Sequence, residues 1–512
     1  DMEITTYLEH AMSSELQGNV IDLCPVGALT SRPYAFQARP WELVKTESID
    51  VMDAVGSNIR VDTRGREVQR ILPRTNEDVN EEWISDKTRF IWDGLRTQRL
   101  DRPYVRDGGR LRPASWNEAF AAIDARVKQA GGAKTGAIIG DLASLEEAFA
   151  VKDLMERLGS PHIDCRQDGA KLDPALGRAS YLFNATIAGI EQADALLIVG
   201  SNPRKEAAVL NARIRKRWLR GGFEIGLIGE QANLTYAYQH LGAGPETLAE
   251  IASGKHTFAD ILKKVERPML ILGQGALARS DGAAVLSLAA KIAAESGMLK
   301  DDWNGFSVLH TAAARVGALD VGAVPGKGGL DVAGMLEPGK LDILFLIGAD
   351  EIDVPEGVFV VYLGTHGDRG AHRADVILPG AAYTEKSGTY VNTEGRPQLA
   401  NRAAFPPGDA REDWGILRAL SDVLGAKLPY DSLAELRRVL QEKHPPLALI
   451  DTIEPADATG IEKLAKLGGK PDKAPFRSPV RDFYLTNPIA RASAVMAECS
   501  ALASGKLSVA AE

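Results

Sequence analysis

The run Ala195-Leu196-Leu197-Ile198-Val199-Gly200 decides the fold. Five apolar residues in succession leave no polar face, so a strand built from them must be covered on both sides. The glycine that follows lets the chain turn away. The same pattern recurs at 135–140, 224–229, 269–273, 343–348 and 358–364. Short two-sided apolar runs of this kind are strands of a parallel sheet with helices on both faces.

The intervening segments read as those helices. Ser115 with Glu118 predicts a capping box for a helix that stops at Gly131-Gly132. Ser144 with Glu147 predicts a second, ending at Gly159-Ser160-Pro161, and a third runs over 283–295 before Gly297. A helix over 411–424 places Trp414, Leu417, Leu420 and Val423 on one stripe and ends at Gly425. Strands alternating with helices predict a doubly wound α/β body with two Rossmann-like lobes.

Working outward, 41–97 breaks into short alternating runs at 49–52, 58–62 and 68–73, with a turn at Arg64-Gly65. These predict a small antiparallel unit with a hairpin. Residues 1–40 form a cysteine-bearing end piece, 98–425 the α/β body, and 426–512 a C-terminal extension. That extension is richer in proline, lysine and alanine and is expected to be an irregular tail wrapping the body or a neighbour. The chain opens at Asp1 without an initiator methionine or leader pattern, and Thr5-Thr6-Tyr7-Leu8-Glu9-His10-Ala11-Met12 reads as helix or loop interior. It is therefore expected to be the remainder of a longer protein.

Composition narrows the function. A net charge of −9 argues against nucleic-acid binding, which needs a basic face. Three cysteines in 512 residues make no disulfide framework and point to a reducing compartment. No apolar run approaches the roughly 20 residues of a spanning helix.

Candidate sites have competing readings. Cys24, in Asp22-Leu23-Cys24-Pro25-Val26-Gly27, has the form of the last ligand of a ferredoxin-type run, or is an ordinary half-buried thiol. Cys165 reads as a small core residue, and Cys499 carries no signal. Gly273-Gln274-Gly275-Ala276-Leu277-Ala278 spells G-x-G-x-x-A, but Arg279-Ser280-Asp281-Gly282 intervenes before the next helix, which favours a plain strand-end turn. Gly200-Ser201-Asn202-Pro203-Arg204 either cradles a phosphate or starts a helix. Arg213, Arg215, Lys216, Arg217 and Arg220 make a basic helix, either a solvated face or a dock for an acidic partner. His366 and His372 flank a polar loop without zinc-ligand spacing. Residues 374–398 are rich in glycine and polar groups and predict a tight hydrogen-bonded loop.

The segment 374–398 resembles the molybdopterin oxidoreductase superfamily. Longer stretches at 19–30, 46–58, 81–90, 211–216 and 381–396 resemble the largest iron–sulfur subunit of respiratory complex I, the proton-pumping NADH:quinone oxidoreductase. That resemblance implies a ferredoxin-like region with one [2Fe–2S] and two [4Fe–4S] clusters ahead of a molybdopterin-enzyme-like body. Only Cys24 maps onto a ligand, the last of the second [4Fe–4S] cluster; the others would precede Asp1. Residues 41–97 match the place of a cysteine-bound [4Fe–4S] cluster in molybdenum enzymes yet contain no cysteine. The Asp-Pro-Arg-like turn of those enzymes is Gly229-Glu230-Gln231 here. The resemblance thus implies an electron-relaying subunit with no catalytic residue of its own and no molybdopterin. Its partners would be the NADH-binding flavoprotein and quinone-module subunits, with no nucleic acid and no membrane span. Its place would be peripheral, on the cytoplasmic side of a bacterial inner membrane or the matrix side of the mitochondrial one. The alternatives are a molybdopterin-dependent oxidoreductase such as a formate dehydrogenase, and an assembly scaffold without a redox role.

Overall fold

The computed structural model describes residues 12–506; most of the 5–12 stretch lies outside them. The apolar runs form two sheets. In the five-stranded sheet all neighbours are parallel, in the order Gln239–Gly242, Glu224–Ile228, Ala195–Val199, Pro268–Gly273, Phe306–Leu309. Leu197 pairs with Gly226 on one side and Leu270 on the other, and every residue of Ala195–Val199 is fully buried. Leu196 and Ile198 face one core and Leu197 and Val199 the other, as two-sided burial demands.

The seven-stranded sheet runs Arg110–Pro113, Tyr104–Asp107, Val376–Pro379, Phe359–Gly364, Ile343–Ile347, Thr135–Ile139, His162–Asp164. Its last five strands are parallel, and the hairpin at its edge is antiparallel. The five-stranded lobe is inserted between His162–Asp164 and Ile343–Ile347 of this sheet. Both sheets reverse strand order next to their first parallel strand, Ala195–Val199 in one and Thr135–Ile139 in the other. In such sheets the crevice beyond the strand ends at that reversal is where ligands bind.

Several expectations change in detail. The first strand of the antiparallel unit is Val44–Ile49, not 49–52; it pairs with Asn58–Arg64, which forms a hairpin with Glu67–Pro73. Its middle residues Lys45, Thr46 and Glu47 are polar and not buried, so an apolar pattern starts too late. Ser115 caps helix Trp116–Ala130, but the box stays open because Glu118 turns to Arg112. The box of helix Leu145–Arg157 closes, with Ser144 N–H donating to Glu147 at 3.2 Å. In helix Asp413–Val423 the buried stripe is Asp413, Ile416, Leu417, Leu420 and Ser421, while Val423 is exposed. The C-terminal extension wraps the body, but as ordered helices at Leu433–Lys443, Thr459–Leu467 and Ala494–Ala503. Leu436 with Leu440, and Ile461 with Leu464, supply the helical spacing that buries the first two. Among the described residues no helix is long and apolar enough to cross a membrane.

Candidate functional site

Cys24 follows the single helical turn Asn19–Leu23, and the body fixes that turn in place. Asn19 works as a two-way amide lock: Nδ2 donates to the Ile84 carbonyl at 2.8 Å and Oδ1 accepts from Ile84 N–H at 3.2 Å. Gly18 N–H donates to Asp86 at 2.7 Å, and the buried Arg89 guanidinium donates to Asn19 and Asp22 at 2.9 and 2.5 Å. The sulfur then projects half-exposed, in contact with the Val26 carbonyl at 3.0 Å. Backbone hydrogen bonds from Leu29 first, then Val26 and Ala28, hold its thiol below the usual range. A lowered, accessible thiol gives up its proton more readily, and the thiolate is the form that reacts or binds metal. A concavity of about 680 Å³ opens beside this segment, lined by Tyr34, Arg39, Arg64, Arg70, Arg89 and Trp92 among others.

The other two thiols differ. Burial pushes Cys165 up to about 12 and Cys499 up to about 11. Cys165 sits in the core, as its sequence reading expects. Among the described residues no group of three or more His, Cys, Asp or Glu could hold a metal. His366 is buried with Nε2 against the Gly94 carbonyl at 2.8 Å, and His372 is exposed.

The segment after Val376–Pro379 is buried almost throughout and is not a loop alone, since Gly388–Val391 pairs antiparallel with Pro397–Ala400. Lys386 there bridges Glu147 at 2.5 Å and Asp413 at 3.1 Å, and the Glu146 carboxylate accepts from Thr389 N–H at 2.8 Å. This ion triad sits beside the crevice of the seven-stranded lobe and reduces it to a cavity of about 40 Å³. Ligand pockets start at roughly 300 Å³. Sequence reading missed the triad, though charged residues amid glycine and alanine at 380–388 were its signal.

In the five-stranded lobe the G-x-G-x-x-A segment does start a helix inside the motif, Gln274–Leu277, but it lasts four residues. Gly200, at φ +59°, packs so closely there that a Cβ would lie 2.6 Å from Ala276 Cβ. The loop at 201–206 starts helix Pro203–Glu206, and its anion cradle is filled by the chain's own carboxylate. Glu206 accepts from Ser201 Oγ and Asn202 N–H at 2.7 Å each and from Ser478 Oγ at 3.0 Å. Of the five basic residues of helix Ala208–Leu219 and its C-cap, Arg213 is buried, Lys216 and Arg217 are half-buried, and Arg215 and Arg220 are exposed, so the helix is in part a solvated face; all five also bond within the chain. Arg213 is buried against Glu191 at 3.7 Å, Lys216 bonds Glu191 at 3.0 Å and Glu81, and Arg220 pairs with Glu191. Arg217 donates to the Ala193 carbonyl at 2.8 Å and Arg215 to the Thr235 carbonyl.

In place of cluster thiolates, the small antiparallel unit carries a buried Lys87 beside Asp50 and Asp53. Lys87 Nζ donates to Thr486 Oγ1 at 3.0 Å. Burial raises both carboxyls and lowers the lysine. With no thiolate, this unit does not fit an iron–sulfur cluster.

Fold and loops together define an α/β body of the molybdopterin oxidoreductase type, joined to a ferredoxin-like end. The molybdopterin oxidoreductase profile matches residues 99–423. The NADH-ubiquinone oxidoreductase NDSU1/NuoG-like 4Fe-4S domain matches 43–93, and a C-terminal domain of the same NADH-ubiquinone oxidoreductase component matches 452–499. The NADH-quinone oxidoreductase subunit 3 ferredoxin-like domain matches 1–30. The chain is 49% identical to the mitochondrial NADH-ubiquinone oxidoreductase 78 kDa subunit of Neurospora crassa, over 98% of this chain and 68% of that protein. It is 47% identical to the mitochondrial NADH dehydrogenase [ubiquinone] iron-sulfur protein 1 of Solanum tuberosum, over 98% and 67%. Acetylene hydratase from Pelobacter acetylenicus shares the fold, with a TM-score of 0.53 at 12% identity over 79% of this chain and 72% of that one. The chain belongs to the 78 kDa iron–sulfur subunit family of NADH:ubiquinone oxidoreductase, respiratory complex I.

Proposed function

We propose that this chain is an electron-carrying subunit of a proton-pumping NADH:quinone oxidoreductase, standing between a flavin-bearing NADH-oxidising partner and the quinone-module subunits. It works peripherally at the inner membrane, with residues 1–40 as the end of a ferredoxin-like domain and 426–512 as a C-terminal extension. The observation that carries this reading is Cys24: a half-exposed thiol with a lowered pKa, locked to the body through Asn19 and Arg89.

An iron–sulfur cluster bound there would accept and release single electrons. The chain's own contributions are specific. Cys24 supplies one thiolate, and the backbone N–H groups of its turn stabilise the negative charge. Its sequence neighbours Leu23 and Val26 are exposed, as are Phe36 and Trp41 further along the end piece, and offer apolar surface to the segment that completes the site. The remaining ligands of a [4Fe–4S] cluster, with a further [4Fe–4S] and a [2Fe–2S] cluster, belong to sequence outside these residues. The α/β body takes no part in proton transfer or hydride chemistry. In this reading it is a scaffold without pterin, which the small cavity of about 40 Å³ in the seven-stranded lobe supports.

The test is Cys24→Ser in the assembled full-length complex. One paramagnetic iron–sulfur signal should disappear and NADH:quinone turnover fall roughly tenfold or more. A variant that keeps every signal and full turnover would make the chain an assembly scaffold. The matched molybdopterin profile supports the rival reading, a molybdopterin-dependent oxidoreductase. Molybdenum at stoichiometry in the purified protein would establish it.

A further inference from the structure

The ligand crevice of the five-stranded lobe lies between the ends of Ala195–Val199 and Pro268–Gly273, where the strand order reverses. The C-terminal extension runs across it. Phe476 is fully buried there, and its N–H donates to the Ala243 carbonyl at 2.8 Å. Arg279 lies over the Phe476 ring at 5.3 Å and donates to the Ala474 and Pro475 carbonyls at 2.8 and 3.1 Å. The Arg477 carbonyl packs so tightly on Gly275 that a Cβ at Gly275 would collide with it. Ser478 Oγ donates to Glu206, whose carboxylate already fills the cradle formed by Ser201 and Asn202.

We infer that the segment 474–478 is an internal occupant of this crevice, latched by the Ser478–Glu206 hydrogen bond, and that it excludes a nucleotide-type ligand from the lobe. Phe476 takes the space of an apolar ligand group. The Arg477 carbonyl takes the backbone approach at Gly275, and the Glu206 carboxylate takes the place of an anion. The inference deepens the reading of the body as a scaffold and rests on it. It also accounts for Gly275, whose missing side chain leaves the room that the Arg477 carbonyl of the strap now fills.

Hydrogen–deuterium exchange on the full-length protein in its complex tests this, with Ser478→Ala as the mild variant and Phe476→Ala as the strong one. In the wild type the 474–478 peptide should be protected, and millimolar GDP should leave the 198–203 and 273–278 peptides unchanged. Ser478→Ala should speed exchange of 474–478 about tenfold through the lost donor, while exchange in the parallel strands stays the same. If Phe476→Ala does not fold, Ser478→Ala alone decides. A wild-type strap exchanging at free-loop rates, a Ser478→Ala strap as protected as wild type, or GDP protection in the wild type would each overturn the inference. Molybdenum in the wild-type protein would instead sink the scaffold reading itself; a mobile strap in molybdenum-free protein sinks only the strap.

Discussion

Asp350 lies just beyond strand Ile343–Ile347, and Tyr362 Oη donates to its carboxylate oxygens at 2.9 Å. Burial first, and the neighbouring Asp368 next among the charges, push its carboxyl up to about 7. A carboxyl raised in the folded state binds its proton more tightly there than in the unfolded chain, whose value is 3.8. Its contribution to stability is therefore full below about pH 4 and drains as pH rises through 7. Asp350→Asn removes the titration and keeps an acceptor for Tyr362. The gap between wild-type and variant unfolding free energies should close or reverse in the variant's favour from pH 4 to 8, by on the order of 4 kcal/mol at most. Denaturant unfolding at a series of pH values measures it. Parallel curves would show that Asp350 stays ionised in the fold. Lys386 obeys the same logic from the other side, since it exists to neutralise Glu147 and Asp413 where water cannot.

At the scale of elements, what was legible is what burial wrote into apolar spacing. The parallel strands were readable because nothing polar can stand in them. Helix Asp413–Val423 was read from Trp414, Leu417, Leu420 and Val423, yet the stripe that enters the core includes Asp413 and Ser421. Those two are polar because they serve other segments: Asp413 pairs with Lys386, and Ser421 Oγ accepts from Leu428 N–H at 3.0 Å. The basic helix was legible as a partly solvated face, but not its ion pairs, as their partners Glu81 and Glu191 are distant in sequence. The C-terminal helices were hidden by composition, although their leucines carry the period. Ser287, on helix Gly282–Glu295, donates to the Leu464 carbonyl at 2.8 Å and accepts from Gly468 N–H at 2.9 Å, so one hydroxyl ties helix Thr459–Leu467 to the lobe. Ser287→Ala should cost about 1–3 kcal/mol, because the hydroxyl's loss orphans a buried partner. Ile198→Ala, at the sheet centre, should cost about 2–5 kcal/mol. Urea titrations rank the two, and an Ile198→Ala cost below that of Ser287→Ala would contradict the two-sided core.

Across the whole molecule, residues far apart in sequence pack into the crevices of both lobes, while Cys24 stays half-exposed in the end piece. Cys24 draws attention in the sequence by its Cys-Pro turn; Lys386, Phe476 and the Ser478 partner of Glu206 do not, because their contacts lie far along the chain. The seam between end piece and body should then be separable from body stability. Asn19 makes that seam with atoms on both sides of its amide, bonding Ile84 twice, Leu16 and Arg89. Asn19→Ala deletes all of these and leaves the Ile84 groups unpaired, a local loss of about 1–3 kcal/mol. None of these contacts lies in the cores of the two parallel sheets, so thermal unfolding of the body should shift by only a few degrees. Limited proteolysis between residues 24 and 43 should speed up about tenfold, because cleavage there follows local opening rather than global unfolding. A variant whose body melts together with its end piece, or whose cleavage is unchanged, would show that the thiol is held by something other than this amide.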